Sequence, residues 1–167
     1  VGGTNIRIAL VDENGNMSQV IKERIKAHTP NDLVLQILSL LDRISYNNID
    51  VVGIGVGVPG PVKPDGTVVY IGNLGIGESF NLKTMLEEKV TLPVFVGNDA
   101  NVAALAEASV GNGKGYDVVQ YITLSTGIGG GLIINKKIVT GKYGLAQEIG
   151  SMIIRNGGRA PSRFKAK

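Results

Sequence analysis

The chain has 167 residues, a net charge of +3, a hydrophobic fraction of 43% and no cysteine. That length supports one sizeable core, or one domain plus part of another, and the composition excludes intrinsic disorder, disulfides and thiolate metal sites. No apolar run approaches the ~20 residues that span a bilayer and no signal peptide is recognisable, so a cytoplasmic chain with no membrane partner is expected. Val1 is not a start residue, which points to a lost N-terminal segment.

In chain order, Gly2-Gly3-Thr4 precedes an alternating segment, Asn5 to Asp12, that reads as a strand. The turn Glu13-Asn14-Gly15-Asn16 leads to a second strand from Val20 to Ile25. Thr29-Pro30-Asn31-Asp32 is a helix start, with Thr29 as cap and Pro30 in the first helical position. Leu33, Ile37, Leu41 and Ile44 then share one helical face with Val34 and Leu38. His28, the single histidine, matches no motif and reads as surface. Val51 to Val58 is a buried strand interleaved with glycine, and Thr67 to Tyr70 a short one. A helix from Asn81 to Lys89 and a strand from Val94 to Val96 follow. Asn98-Asp99 then opens an alanine-rich helix that runs to Val110. The stretch Gly111-Asn112-Gly113-Lys114-Gly115 marks a domain boundary, giving domains at 1–115 and 116–167. Strands resume at Val118 to Leu124 and, past a glycine-dense loop, at Leu132 to Ile134 and Ile138-Val139. Alternating strands and helices make the fold class α/β.

Glycine-rich stretches let a backbone approach phosphate oxygens, since no Cβ stands in the way. Gly55, Gly57 and Gly60 match the spacing of a dinucleotide-binding loop, but Pro59, Pro61 and Pro64 prevent the helix such a loop must open. Two other loops, Gly2-Gly3-Thr4-Asn5 and Ser125-Thr126-Gly127-Ile128-Gly129-Gly130-Gly131, lie between strands. Each is either a tight hairpin or a cradle offering backbone N–H groups and a hydroxyl to an anion. Asn98 and Asp99 stand where a strand ends and a helix begins, a place suited equally to a helix cap and to a ligand. Glu148 alone carries no such signal. From Met152 onward Arg155, Arg159, Arg163, Lys165 and Lys167 occur with no acid and with Phe164 as the one aromatic, a pattern that argues against nucleic acid.

The motifs GGTNIRIALVD, GIGVGVPGPV, GNDANVAALAE and TLSTGIGGGLIINKKIVTGKYGLAQEIG, in that order, resemble the ROK family of repressors and sugar kinases. The resemblance runs to about Arg159 and covers about the first half of a family member. It implies an actin-like, ribonuclease H-like ATPase domain with a mixed sheet and flanking helices, plus the start of a second similar domain. It further implies ATP and Mg²⁺ as cofactors and a glucose-like hexose as substrate. On the same resemblance Gly2, Gly3, Thr4, Thr126, Gly127, Gly129 and Gly130 cradle the nucleotide phosphates. Asp99 is the catalytic base, Asn98 and Glu148 hold sugar hydroxyls, and Asn73 touches the sugar.

Three positions depart from the family pattern. The Asp that normally precedes Gly-Gly-Thr by two residues has no counterpart before Val1, Ser151 replaces the usual His, and Pro161 stands where a cysteine-rich zinc motif begins. Serine is a poor zinc ligand and no thiolate is present, so no structural zinc is expected. Strands beyond Val118 are expected to lack a covering layer, to be supplied by a homo-oligomer partner or by a missing C-terminal half. The functional expectation is ATP-dependent phosphorylation of a hexose. The alternatives are a non-catalytic sugar-sensing module related to the family's repressors, and an inactive truncated product.

Overall fold

The computed structural model describes residues 1–45, 51–125, 127–142 and 144–153; Thr126 of the second predicted cradle, Pro161 and the basic tail lie outside them. The chain divides into two compact units, Val1–Asp99 and Ala100–Lys167.

In the first unit, β1 (Asn5–Val11) and β2 (Met17–Arg24) form an antiparallel hairpin. Helix α1 (Pro30–Leu41) starts as predicted: the Thr29 side chain accepts from the Asp32 N–H at 3.1 Å, and Asp32 Oδ2 accepts the Thr29 N–H at 3.1 Å. His28 is exposed, as expected, and its backbone N–H adds a longer contact to the same carboxylate. Leu33, Val34, Ile37 and Leu40 form the buried face of α1, and Ile44 is buried just past its end. Leu41 and Leu38, placed on that face by the sequence pattern, are only partly buried, and Leu40 takes the central position.

Strand β3 (Ile54–Val58) is shorter than the predicted Val51–Val58. Its parallel partner β6 (Val94–Asn98) pairs Ile54 with Val94 and Val58 with Asn98. Pro93 precedes that partner strand and has no N–H to extend the ladder, so the pairing stops there and Val52 is exposed. Between them lie β4 (Thr67–Val68) and β5 (Phe80–Asn81), an antiparallel pair, and helix α2 (Leu82–Glu87). Strand β4 ends two residues earlier than predicted, and Val68 also bridges Val62, with the Val69 N–H donating to the Pro61 carbonyl at 2.9 Å. Asn81 caps α2 through the Thr84 N–H at 2.9 Å. Val58, Val68, Ile71, Leu82, Leu86 and Val94 are fully enclosed at the centre of this unit.

In the second unit, α3 (Asp99–Ser109, all but its first residue) accompanies a three-stranded antiparallel sheet. The sheet comprises β7 (Val118–Leu124), β8 (Ile128–Ile134) and β9 (Lys137–Ile138). Asn135 and Lys136 have φ of 50° and 63°, a two-residue turn whose left-handed residues match the sheet twist. The Lys136 ammonium donates to the Ala108 carbonyl in the last turn of α3, where a cation suits the helix dipole. Ala104, Ala108 and Ile133 form the core of this unit. Compactness groups α3 with this sheet, whereas the sequence boundary at 115/116 falls after the helix. On the opposite sheet face Val118, Ile122, Leu124, Ile128 and Ile134 are exposed, the uncovered layer anticipated from the sequence. Among the described residues no helix is long and apolar enough to cross a membrane.

The cap at α1 generates a prediction. Thr29→Ala should cost about 1 kcal/mol in a urea titration. Hydrogen bonds from the Thr29 side chain and then the His28 backbone hold the Asp32 carboxyl below its ordinary value. A depressed folded pKa contributes stability above the unfolded carboxylate value of about 3.9, lost as pH falls through the folded value. Asp32→Asn should therefore flatten the acid side of a stability-against-pH curve, and an unchanged slope would show that the cap carboxylate contributes nothing there.

Candidate functional site

The first unit gathers its predicted site residues through a closed ring of contacts. Gly57 and Gly97 are partners in the parallel β3–β6 ladder, so the ends of both strands emerge side by side. From the end of β6, the Asn98 side-chain amide donates to the Gly60 carbonyl at 3.1 Å. Gly60 has φ 158°, and a Cβ there would lie 2.2 Å from the Tyr70 carbonyl oxygen. This loop glycine is required by the backbone that crosses over it. Tyr70 and Ile71 run into a 3-10 turn, Gly72–Leu74, that carries Asn73. Asn73 sits directly over the first glycine loop: a Cβ on Gly3 would be 3.0 Å from the Asn73 Cβ and 3.1 Å from its amide nitrogen. The ring closes where the Val1 amino nitrogen donates to the Gly57 carbonyl at 2.8 Å. Asp99 follows Asn98 directly and belongs to the same compact unit. Thus Gly2, Gly3, Thr4, Asn73, Asn98 and Asp99 come together in one unit. Asp99 is the first residue of α3, where a carboxylate also suits the positive end of the helix dipole.

The second unit rearranges the other predicted loop. Its glycines are mostly in a strand: Gly129, Gly130 and Gly131 belong to β8 and pair with Thr123, Ile122 and Tyr121. β7 ends at Leu124 and β8 starts at Ile128, with the Ser125 N–H bonded to the Gly127 carbonyl at 2.9 Å. Among the described residues other than its chain neighbours, no heavy atom lies within 4 Å of where a Cβ on Gly127 would stand. The strand glycines are crowded instead. A Cβ on Gly131 would lie 2.6 Å from the Ala104 Cβ and 2.9 Å from the Ala100 carbonyl oxygen, and one on Gly130 would lie 2.7 Å from Ile149 Cδ1. The absent side chains make room for protein atoms.

Glu148 is exposed and sits between Gln147 and a 3-10 turn, Ile149–Ser151. Ser151 closes that turn by donating its N–H to the Glu148 carbonyl at 2.9 Å. Among the described residues no group of three or more His, Cys, Asp and Glu side chains is placed to hold a metal ion.

Residues 1–162 match the ROK family. The chain belongs to the ROK family. It is 37% identical to a glucokinase of Halalkalibacterium halodurans over 96% of this chain and 50% of that protein. It is 30% identical to the xylose repressor of Bacillus subtilis over 92% of this chain and 41% of the repressor. Among solved structures it matches a ROK family glucokinase from Streptomyces griseus in complex with glucose and AMPPNP, with a TM-score of 0.82, 37% identity, and coverage of 93% of this chain and 49% of that one. This ROK chain therefore has the α/β, actin-like ATPase fold of its relatives, and it spans about half the length of the curated relatives it matches.

Sequence reasoning did not single out Tyr70, Gln147 or Ile149, whose backbones and side chains shape these loops. The signal for Ile149 and the α3 alanines was present in GGG followed by LII: three glycines inside a strand mark a surface that something must approach closely. Gly131→Ala should destabilise the ROK chain by about 1–3 kcal/mol in chemical denaturation, because the opposing helix backbone cannot yield. Gly127→Ala should stay within about 0.5 kcal/mol of the parent. Equal losses at the two positions would contradict the packing account.

Proposed function

We propose that this ROK chain supplies the hexose site, the catalytic base and phosphate-binding loops of an ATP-dependent hexose kinase, with a glucose-like sugar as substrate. Residues 1–115 form the first actin-like domain in this proposal and 116–167 the start of the second. What carries it is the junction of β6 and α3, where Asn98 is fixed to the Gly60 loop and Asp99 opens the helix, in the same unit as the Gly2–Thr4 segment. The similarity to a glucokinase crystallised with glucose and AMPPNP supports the same assignment.

A sugar hydroxyl is a weak nucleophile. Asp99 takes its proton as the hydroxyl oxygen bonds to the γ-phosphorus and the bond to the leaving nucleoside diphosphate breaks. Such general-base help contributes roughly 10²–10⁴-fold. Asn98 and Glu148 hold neighbouring hydroxyls, and Asn73 closes the sugar side of the Gly3 loop. The backbone of Gly2, Gly3 and Thr4, with Thr126 and Gly127 in the second loop, receives phosphate oxygens. Gly129 and Gly130 contribute as the strand that holds the second loop. Mg²⁺ arriving with the nucleotide would supply neutralisation of the phosphate charge; it keeps several waters and needs few protein ligands, which fits the lack of a metal-holding group among the described residues. A cysteine-free kinase of free sugar and ATP fits the cytoplasm. A sugar-sensing module is the second reading, favoured by the similarity to a repressor and by Ser151 at the family's histidine position.

Calorimetric titration with glucose, mannose and N-acetylglucosamine, each with and without Mg·ATP, separates the two. Hexose binding strengthened by nucleotide is expected of the kinase, and binding indifferent to nucleotide of the sensor. In a form that turns over, Asp99→Asn should lower turnover at least ~10²-fold with hexose affinity preserved. Unchanged turnover would remove Asp99 from the role of base.

A further inference from the structure

Glu148 sits on an unusual piece of backbone. The Ile149 N–H donates to the Gln147 carbonyl at 2.7 Å, and Glu148 between them has φ −70° and ψ 56°. Those values define an inverse γ-turn with Glu148 at its apex. Gln147 has φ 67°, a left-handed conformation uncommon for a residue with a side chain. Backbone in sparsely populated regions persists only where its surroundings over-determine it. Here the surroundings are β8. A Cβ on Gly130 would lie 2.7 Å from Ile149 Cδ1, 2.9 Å from Ile149 Cγ1 and 3.2 Å from the Gln147 carbonyl oxygen. The last of these is the acceptor that closes the γ-turn. On the other side of the same turn, a Cβ on Gly150 would meet the Ile128 carbonyl oxygen at 2.4 Å, so the segment lies flat against the strand.

Side chains alternate across a strand, so Gly130 faces the Glu148 turn while Gly129 and Gly131 face α3. The contacts agree: Gly131 meets Ala100 and Ala104, and Gly129 meets Ala100. The middle glycine therefore has a task separate from that of its neighbours. We propose that Gly130 is a positioning residue for Glu148: the missing Cβ lets the Gln147 carbonyl and the Ile149 side chain seat on β8, which locks the γ-turn and fixes the direction of the Glu148 carboxylate toward the hexose. This rests on the reading of Glu148 as a hexose ligand. It takes Gly130 out of the phosphate cradle, where a glycine would be required for the approach of nucleotide and not for that of Ile149.

The test is a size exchange across the contact. Wild type, Gly130→Ala, Ile149→Ala and the double variant are compared by amide hydrogen exchange at Ile149 and Ser151, and by calorimetric affinity for glucose and for Mg·ATP. Gly130→Ala should speed exchange at both amides by at least ~10-fold, since the turn opens locally with less than global unfolding. It should weaken glucose by a similar factor and leave Mg·ATP within about 3-fold. Adding Ile149→Ala should restore both exchange and glucose affinity most of the way, as a cavity on one side accommodates the added methyl on the other. Unchanged exchange in Gly130→Ala overturns the positioning role whatever the sugar does. A loss confined to Mg·ATP and not rescued by Ile149→Ala overturns it in favour of a phosphate contact. Exchange that follows the expected order while glucose affinity stays fixed refutes Glu148 as a hexose ligand. In that case the lock on the turn still stands.

Discussion

The parallel ladder between β3 and β6 pairs Val58 with Asn98 at its far end. Parallel strands deliver their carboxyl ends to the same edge, and the segments that leave them must share that space. In this chain one strand continues into Pro59-Gly60-Pro61 and the other into Asp99 and α3. The Asn98 amide ties the two exits together through the Gly60 carbonyl. The Tyr70 backbone crosses over Gly60, and Asn73 consequently lands on Gly3. A shift of one residue in this ladder would turn Asn98 to the other face and disconnect the ring.

Glycine does two different jobs in the molecule, and they are distinguished by what fills the space of the absent side chain. At Gly60, Gly130 and Gly131 that space is occupied by protein: a carbonyl, an isoleucine and an alanine helix. At Gly127 no described residue fills it. Crowded glycines set distances between elements, whereas an open one leaves backbone available to a ligand. A glycine-rich motif need not therefore serve phosphate at every position. In this chain part of it serves packing.

Several features were legible from local sequence. Thr29, Pro30 and Asp32 announce a helix start because capping involves residues three apart. Asn5 to Asp12 and Val118 to Leu124 read as strands, and β1 (Asn5–Val11) and β7 (Val118–Leu124) are found there. Asn98 and Asp99 could be placed at a strand-to-helix junction for the same reason. What failed was the glycine-dense segment, read as loop from composition. Glycine is a weak strand former in isolation, and Gly129 to Gly131 are held extended by their antiparallel partners on the preceding strand β7 and by the alanines of α3, which are remote in sequence. The β3 start was misjudged because its limit is set by a proline just before another strand, Pro93.

The sequence by itself determined the α/β class, the family, the helix caps and the identity of the carboxylates and amides available for chemistry. Those follow from patterns a few residues long. Only the tertiary structure decided which glycines face protein and which face open space, that Asn73 lies on Gly3, and that Glu148 rides a γ-turn seated on Gly130. These depend on contacts between segments far apart along the chain, and a missing side chain has no meaning until its neighbour across the gap is known.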